Sequence, residues 1–127
     1  MAYKKKAKKT KLNVDTVTIY VKSSFNNTLV SVTTANGDVI LRGSAGAFGF
    51  KGTRKSTPYA ATEVATALAK DLHAKGVKFA DVNMQGPGAG RDSVVRAFQA
   101  SGIAITSIRD ITPLAHNGCR PEKRARN

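Results

Sequence analysis

Hydrophobic and polar residues alternate in the first third of the chain, a pattern typical of β-strands with one buried face. In Asp15–Ser23 the apolar residues Val17, Ile19 and Val21 fall on one side. Thr28–Ala35 is rich in β-branched residues and alternates in the same way. We therefore expect two strands here, each packing one face against a hydrophobic core.

A tight hairpin is predicted next, because Asn36-Gly37 separates the second strand from the short run Asp38–Arg42. The Asn-Gly pair favours a type I′ turn, in which both central residues have positive φ. The chain should therefore begin with three antiparallel strands.

The spacing of apolar residues then changes to that of helices. Ser56-Thr57-Pro58 provides a hydroxyl cap and a first-turn proline. Tyr59–Lys75 continues as a predicted helix that Gly76 ends, with one apolar face formed by Ala61, Val64, Ala65, Leu68 and Leu72. A second helix is predicted over Asp92–Ser101, with Gly102 at its end and an inward face formed by Val94, Val95 and Phe98.

The remaining strands are predicted over Val77–Met84 and Ile103–Ile111. Each follows a helix, which implies a parallel crossover connection. The fold class is therefore α/β, in the order β-β-β-α-β-α-β. We expect a mixed five-stranded sheet, antiparallel in its first three strands and parallel at the crossovers, packed by two helices. A chain of 127 residues suits one such domain.

Charge divides the chain into a body and two tails, and the net charge is +13. Residues 1–13 are expected to form a basic disordered tail, since their charged residues are all lysines, namely Lys4, Lys5, Lys6, Lys8, Lys9 and Lys11. Residues 14–112 form the predicted body, and residues 113–127 a second basic tail. This layout is typical of a folded module with nucleic-acid-binding arms.

A membrane surface is the competing polyanion, but neither tail shows an amphipathic helix with a Trp, Phe or Leu face. No apolar run approaches the length of a membrane span. The single cysteine, Cys119, fits a reducing compartment, so we expect a cytoplasmic protein with no membrane partner.

Gly43–Ser56 combines four glycines with the basic residues Lys51, Arg54 and Lys55. Basic residues interleaved with aromatic rings suit RNA, whose unpaired bases stack and whose phosphates pair with cations. Two interpretations of the rings stay open: Phe48 and Phe50 stack on bases, or they pack into the core under an ordinary loop. The basic residues remain candidates for RNA contact in both.

The second glycine loop, formed around Gly86, Gly88 and Gly90, lies between a predicted strand and a helix. Backbone N–H groups at a helix N-terminus bind phosphate, and the Arg91 guanidinium adds a planar fork. A purely structural turn is the alternative. A dinucleotide site is excluded, because the G-x-G-x-x-G spacing is absent.

An enzyme is not expected. One cysteine and two histidines, namely His73, His116 and Cys119, make no convincing metal set. The sequence also contains four dispersed carboxylates, Asp15, Asp81, Asp92 and Asp110. They leave a metal-dependent nuclease as an unlikely alternative, whose activity would require Asp15 or Asp110. We predict no cofactor, no resident metal and no small-molecule substrate.

Four segments, in this order along the chain, carry a family resemblance: Ser24-Phe25-Asn26-Asn27-Thr28, Gly49–Gly52 with Arg54–Ala61, Gly86–Gly88 with Gly90-Arg91, and His116-Asn117-Gly118-Cys119-Arg120-Pro121. With them the chain resembles the universal small-subunit ribosomal protein number eleven family, in its bacterial form. Gln85, Ala115, Glu122 and Ala125 depart from residues common in bacterial members, and each departure removes a charge or a rigid element.

The resemblance implies a ribonuclease-H-like fold without nuclease activity and a structural role in translation. It implies a place on the platform of the small subunit, bridging helices of the 16S rRNA and helping to line the cleft that holds messenger RNA. Small-subunit proteins number seven and number eighteen are the implied neighbours. Beside the N-terminal lysines, the predicted rRNA-binding residues are Asn26, Asn27, Lys51, Arg54, Lys55, Gly86, Gly88, Gly90, Arg91, His116, Asn117, Gly118, Arg120, Lys123, Arg124 and Arg126.

One alternative function stays open from the sequence, a free basic nucleic-acid chaperone outside the ribosome. A modification is also predicted. Gly118 carries no side chain to hinder attack of its nitrogen on Asn117, so Asn117 is expected to form isoaspartate through a succinimide.

Overall fold

The computed structural model describes residues 15–125 and confirms the predicted element order and fold class. The elements are β1 (Thr16–Ser23), β2 (Thr28–Thr33), β3 (Val39–Ser44), α1 (Pro58–Ala74), β4 (Phe79–Gln85), α2 (Gly90–Ala100) and β5 (Ala104–Asp110). A short 3-10 helix over Gly52–Ser56, which the sequence pattern did not indicate, precedes α1. The ends of the other elements lie within two residues of their predicted positions.

The five strands form one sheet in the order β3-β2-β1-β4-β5, so β1 is its central strand. β1 pairs antiparallel with β2, and β2 pairs antiparallel with β3. On its other side β1 pairs parallel with β4, which pairs parallel with β5. The antiparallel start and the two parallel crossovers are therefore confirmed.

The hairpin between β2 and β3 differs from the prediction. Gly37 has a φ of 95°, whereas Asn36 is not in the positive-φ region, so the turn is not type I′. The Gly37 N–H donates to Thr34 O at 3.0 Å, and the Thr34 N–H donates to Asp38 O at 2.9 Å. The pairing register shifts between Val32 and Thr33. A three-residue loop closed at Gly37 explains the two hydrogen bonds, because one left-handed residue is enough to close it. The register shift is a separate bulge at Ile40, which lies between the paired residues Val39 and Leu41.

Both helices pack against one face of the sheet. The core contains Val17, Ile19 and Val21 of β1, and Phe98 of α2 is fully buried against them. Helix α1 contacts β2 and β3, α2 contacts β1, β4 and β5, and the two helices also contact each other. Fully burying an aliphatic or aromatic side chain of this size stabilises a fold by roughly 1.5–3 kcal/mol.

The first helix begins as predicted. The Thr57 hydroxyl accepts a hydrogen bond from the Ala60 N–H at 3.2 Å, and Pro58 occupies the first turn. At the other end Gly76 takes a φ of 83°, and the Val77 N–H donates to Leu72 O at 3.1 Å. These contacts satisfy backbone groups that the helix leaves without partners at its ends.

The described part of the chain contains no helix that is both long enough and apolar enough to cross a membrane.

Candidate nucleic-acid interface

Four loops and segments that carry the predicted sites leave the sheet at the same end. Ser23, the last residue of β1, pairs with Thr28, the first of β2. In the same region Lys22 pairs with Gln85 of β4, and Leu29 of β2 pairs with Ser44 of β3. Asp110, the last residue of β5, pairs with Met84. We call this end, with residues 24–27, 45–57, 86–91 and 111–125, the loop end.

The β1–β2 turn is held by its own hydrogen bonds. The Ser24 hydroxyl accepts from the Asn26 N–H at 3.3 Å and the Asn27 N–H at 3.1 Å. The Asn27 side-chain oxygen accepts from the Thr28 N–H at 2.8 Å. Asn26 is exposed, and Phe25 is 75% exposed beside it. Of the two predicted asparagines, Asn27 therefore supports the turn, while the Asn26 side chain faces outward.

The second glycine loop packs directly on the end of β1. A Cβ at Gly88 would lie 2.1 Å from Ser23 Oγ, and one at Gly86 would lie 2.3 Å from Ser23 O. A Cβ at Gly90 would lie 2.5 Å from Thr28 Oγ1. No side chain larger than hydrogen fits at these approaches. The structural interpretation thus accounts for the glycines at these three positions.

Two backbone amides of this loop already donate hydrogen bonds within the protein, so fewer amides are available to bind the predicted phosphate. The Gly88 N–H donates to Ser23 O at 2.9 Å, and the Gly86 N–H donates to Thr112 Oγ1 at 3.1 Å. Helix α2 begins immediately afterwards, with Ala89 at its N-cap and no side-chain cap. The first-turn amides of α2 are the remaining candidate donors of this loop, but Gly90 is buried and Asp92 places a carboxylate in the same turn.

Arg91 is drawn into an ion pair that the sequence did not indicate. Its Nη1 donates to Asp110 Oδ2 at 3.1 Å, and both side chains are partly exposed. Asp110 also accepts from the Thr112 hydroxyl at 2.5 Å and from the Thr112 N–H at 3.0 Å. These Thr112 bonds first, and then Arg91, lower the pKa of the Asp110 carboxyl. Arginine carries five N–H donors, so this pair leaves others for a second anion.

The first glycine loop presents the basic trio at the start of α1. Lys51 and Arg54 are exposed and Lys55 is partly buried, with its Cδ close to Gly46. The Arg54 carbonyl accepts from the Thr57 hydroxyl at 2.8 Å, so the same threonine that caps α1 holds the 3-10 helix in place. Arg54 and Lys55 therefore lie in a 3-10 helix that is hydrogen-bonded to the start of α1, and Lys51 immediately precedes it.

The two phenylalanines of this loop have different surroundings. Phe50 packs against the core and meets Tyr59 edge to face, with ring centroids 6.0 Å apart. Phe48 keeps 43% of its surface exposed, and its ring edge lies over Gly43. The packing interpretation therefore fits Phe50, and Phe48 combines packing with an accessible ring face.

The C-terminal segment continues directly from β5 at the loop end. The Ile111 N–H donates to Met84 O at 2.7 Å, and every residue from 111 to 125 is exposed. The chain bends at His116 and Asn117, where Asn117 has a φ of 75° and Gly118 a φ of 58°. This bend precedes the exposed basic residues Arg120, Lys123 and Arg124.

Some predicted contact residues lie outside the described residues: Lys4, Lys5, Lys6, Lys8, Lys9, Lys11 and Arg126.

The carboxylates named for a nuclease are far apart in the fold. Asp15 O accepts from the Phe79 N–H at the start of β1 and β4, whereas Asp110 lies at the opposite end of the sheet. Asp81 accepts hydrogen bonds from the Thr106 and Ser107 hydroxyls. Residues 15–125 contain no cluster of three or more metal-ligating side chains.

The protein is a small α/β domain that carries basic and glycine-rich loops at one end of its sheet. These features place it in the class of nucleic-acid-binding modules. The family comparison is more specific: the family model described as Ribosomal protein S11 matches residues 17–126. The chain belongs to this family. It is a small-subunit ribosomal protein that acts in translation as a structural constituent, binds rRNA, and is not an enzyme.

Proposed function

We propose that the loop end binds and bridges helices of the small-subunit rRNA at the platform, and that residues 1–13 and 113–127 extend this contact as basic tails. The observation that carries the proposal is the position in the fold of the four segments of the family resemblance, which lie far apart in the sequence. Three of the four segments of the family resemblance follow strand ends at one end of one sheet, and the fourth, His116–Pro121, follows β5, whose last residue Asp110 lies at the same end.

The chemistry of the loop end suits RNA backbone. Lys51 and Arg54 are exposed beside the start of α1, and the first turn of α2 presents amides without a side-chain cap. Cations and helix N-termini both bind phosphate, and such contacts position a protein on RNA without reading its sequence. The finer placement, beside proteins number seven and number eighteen and near the messenger cleft, rests on the family resemblance.

Substitutions that remove positive charge test the loop end. Replacing Lys51, Arg54 and Lys55 together by Gln removes three cations from it. Each phosphate contact contributes about 0.7–0.9 to the slope of log K against log salt, so the slope for small-subunit rRNA should fall by roughly 2–3. Binding is measured by filter retention of labelled rRNA across a salt series.

The matched control replaces three exposed lysines elsewhere, Lys70, Lys75 and Lys78, by Gln. It makes the same change in net charge and should leave the slope within about 0.5 of the unaltered chain. Equal slopes for the two triple variants would overturn the proposal.

Sedimentation of cell extract tests the chaperone alternative, which requires a slowly sedimenting pool of the protein apart from small subunits.

A further inference from the structure

A second surface lies on the face of the sheet opposite the helices. Because Val17, Ile19 and Val21 point into the core, the alternate residues of β1 point the other way. Tyr20 is 40% exposed there, Leu29 44% and Phe79 44%. No described helix packs on this face. We call it the open face.

One cross-strand row on the open face runs through all five strands. Tyr20 of the central strand pairs with Ser31 of β2 and with Asn83 of β4. Ser31 pairs with Arg42 of β3, and Asn83 pairs with Arg109 of β5. Residues in register point to the same side of a sheet, so the row reads Arg42, Ser31, Tyr20, Asn83, Arg109. Four strand spacings of about 4.8 Å separate the two arginines by roughly 19 Å.

The chemistry of this row fits unpaired RNA. A tyrosine ring on an accessible sheet offers a stacking surface for any base. Ser31 and Asn83 stand on either side of the ring with groups that can hydrogen-bond base edges. Arg42 and Arg109 are exposed at the two ends of the row, each about 10 Å from Tyr20. An RNA chain that crosses the sheet along this row would place phosphates near both arginines.

Charge and shape on the open face favour the same partner. Lys22 lies in the next row of β1, beside Leu29 and Gln85. Asp81 is the acidic side chain that the described strands direct to this face, and the hydroxyls of Thr106 and Ser107 hold it. A groove of about 390 Å³ adjoins the row at Arg42, bordered by Leu29, Ser31 and Ser44. The face is therefore basic around an aromatic centre, as nucleic acid requires.

We propose that the open face is a second RNA-binding surface, separate from the loop end, that takes an unpaired stretch of RNA with one base stacked on Tyr20 and phosphates held by Arg42 and Arg109. The proposal rests on the rRNA-binding function of the loop end. The two surfaces meet at the end of the sheet, where Lys22 and Leu29 adjoin Ser23 and Thr28, so one RNA can pass from one to the other.

The test uses the full chain and a fluorescein-labelled decanucleotide of uridine, which forms no stable duplex. Tyr20→Leu should weaken binding about 5- to 150-fold, the loss expected for one stacked base. Tyr20→Phe keeps the ring and should bind within about twofold of the unaltered chain. The difference between Phe and Leu isolates stacking from any effect of losing the hydroxyl.

A double variant tests the two ends of the row. Arg42→Gln with Arg109→Gln should lower the salt slope by about 1.4, as two phosphate contacts to a single strand require. Its matched control, Lys70→Gln with Arg96→Gln, removes two exposed cations from the helices and should leave the slope unchanged. Thermal unfolding midpoints of all variants verify folding, and the arginine pair decides the question if Tyr20→Leu does not fold.

Decanucleotide binding that is the same for the unaltered chain, Tyr20→Leu and the arginine pair would overturn this proposal. A protein-docking role for the face would give that result. The loop-end proposal has its own outcome, since the Lys51, Arg54 and Lys55 variant can still weaken rRNA binding while the open-face variants do not.

Discussion

Two Asn-Gly pairs occur in this chain, and the structure holds them differently. At Asn36-Gly37 the Gly37 N–H donates to Thr34 O at 3.0 Å inside a hairpin loop. At Asn117-Gly118 both residues have positive φ and lie in the exposed C-terminal segment. Succinimide formation needs the glycine nitrogen to approach the asparagine side-chain carbon, so local geometry should separate the two sites although the dipeptides are identical.

We predict that Asn117 forms isoaspartate faster than Asn36. The Gly118 nitrogen attacks the Asn117 side-chain amide carbon and ammonia leaves; water then opens the ring to isoaspartate or aspartate. The purified chain is kept at pH 7.5 and 37 °C, and peptide mapping follows both sites over time. Asn36 is the internal control. Equal rates, or an intact Asn117, would contradict the prediction.

At the scale of elements, the packing of the second glycine loop on β1 yields a direct test. Gly88→Ala would place a Cβ within 2.8 Å of three atoms of Ser23 and Ser24. We expect the substitution to lower the free energy of unfolding by roughly 1–3 kcal/mol, the usual cost of forcing atoms into a filled site. Chemical denaturation of the full chain measures the change.

Gly46→Ala is the matched control, because a Cβ there would meet its nearest atom, Lys55 Cδ, at 3.5 Å. That distance is ordinary van der Waals contact, and we expect a change within about 1 kcal/mol in either direction. Similar losses for both variants would mean that the loop does not pack on β1 as described.

The elements that the sequence predicted best were those with a strong local signal. Alternation in β1, the Thr57-Pro58 start of α1 and the Gly76 stop all depend on neighbouring residues, and the structure confirms them. The type I′ turn was wrong because Asn-Gly fits two loop lengths, and the register of β2 against β3 decides between them. The glycines at positions 86, 88 and 90 were left open between a phosphate contact and a structural turn, because their closest contacts involve Ser23 and Thr28, more than sixty residues earlier.

In the whole molecule, the strand order brings the predicted rRNA-binding loops to the same end of the sheet. A sequence pattern indicates that Asn26, Lys51 and Arg91 belong to loops, but their proximity requires β1 to lie between β2 and β4. The Arg91–Asp110 pair has the same origin, since β4 and β5 are parallel neighbours. The open-face row could have been partly foreseen, because alternation already places Tyr20 opposite the core residues of β1. The places of Arg42 and Arg109 in this row could not have been foreseen, since they depend on the long-range pairing of β3 with β2 and of β5 with β4.

Lysine reactivity in intact small subunits measures whether the loop end faces rRNA. Subunits and the free chain are treated with an amine-acetylating reagent, and mass spectrometry compares each lysine in the two states. We predict that Lys51, Lys55 and Lys123 become several-fold less reactive in the subunit, while Lys75 and Lys78, at the opposite end of the sheet, change less. Stronger protection of Lys75 and Lys78 than of Lys51 and Lys55 would show that the loop end does not face rRNA.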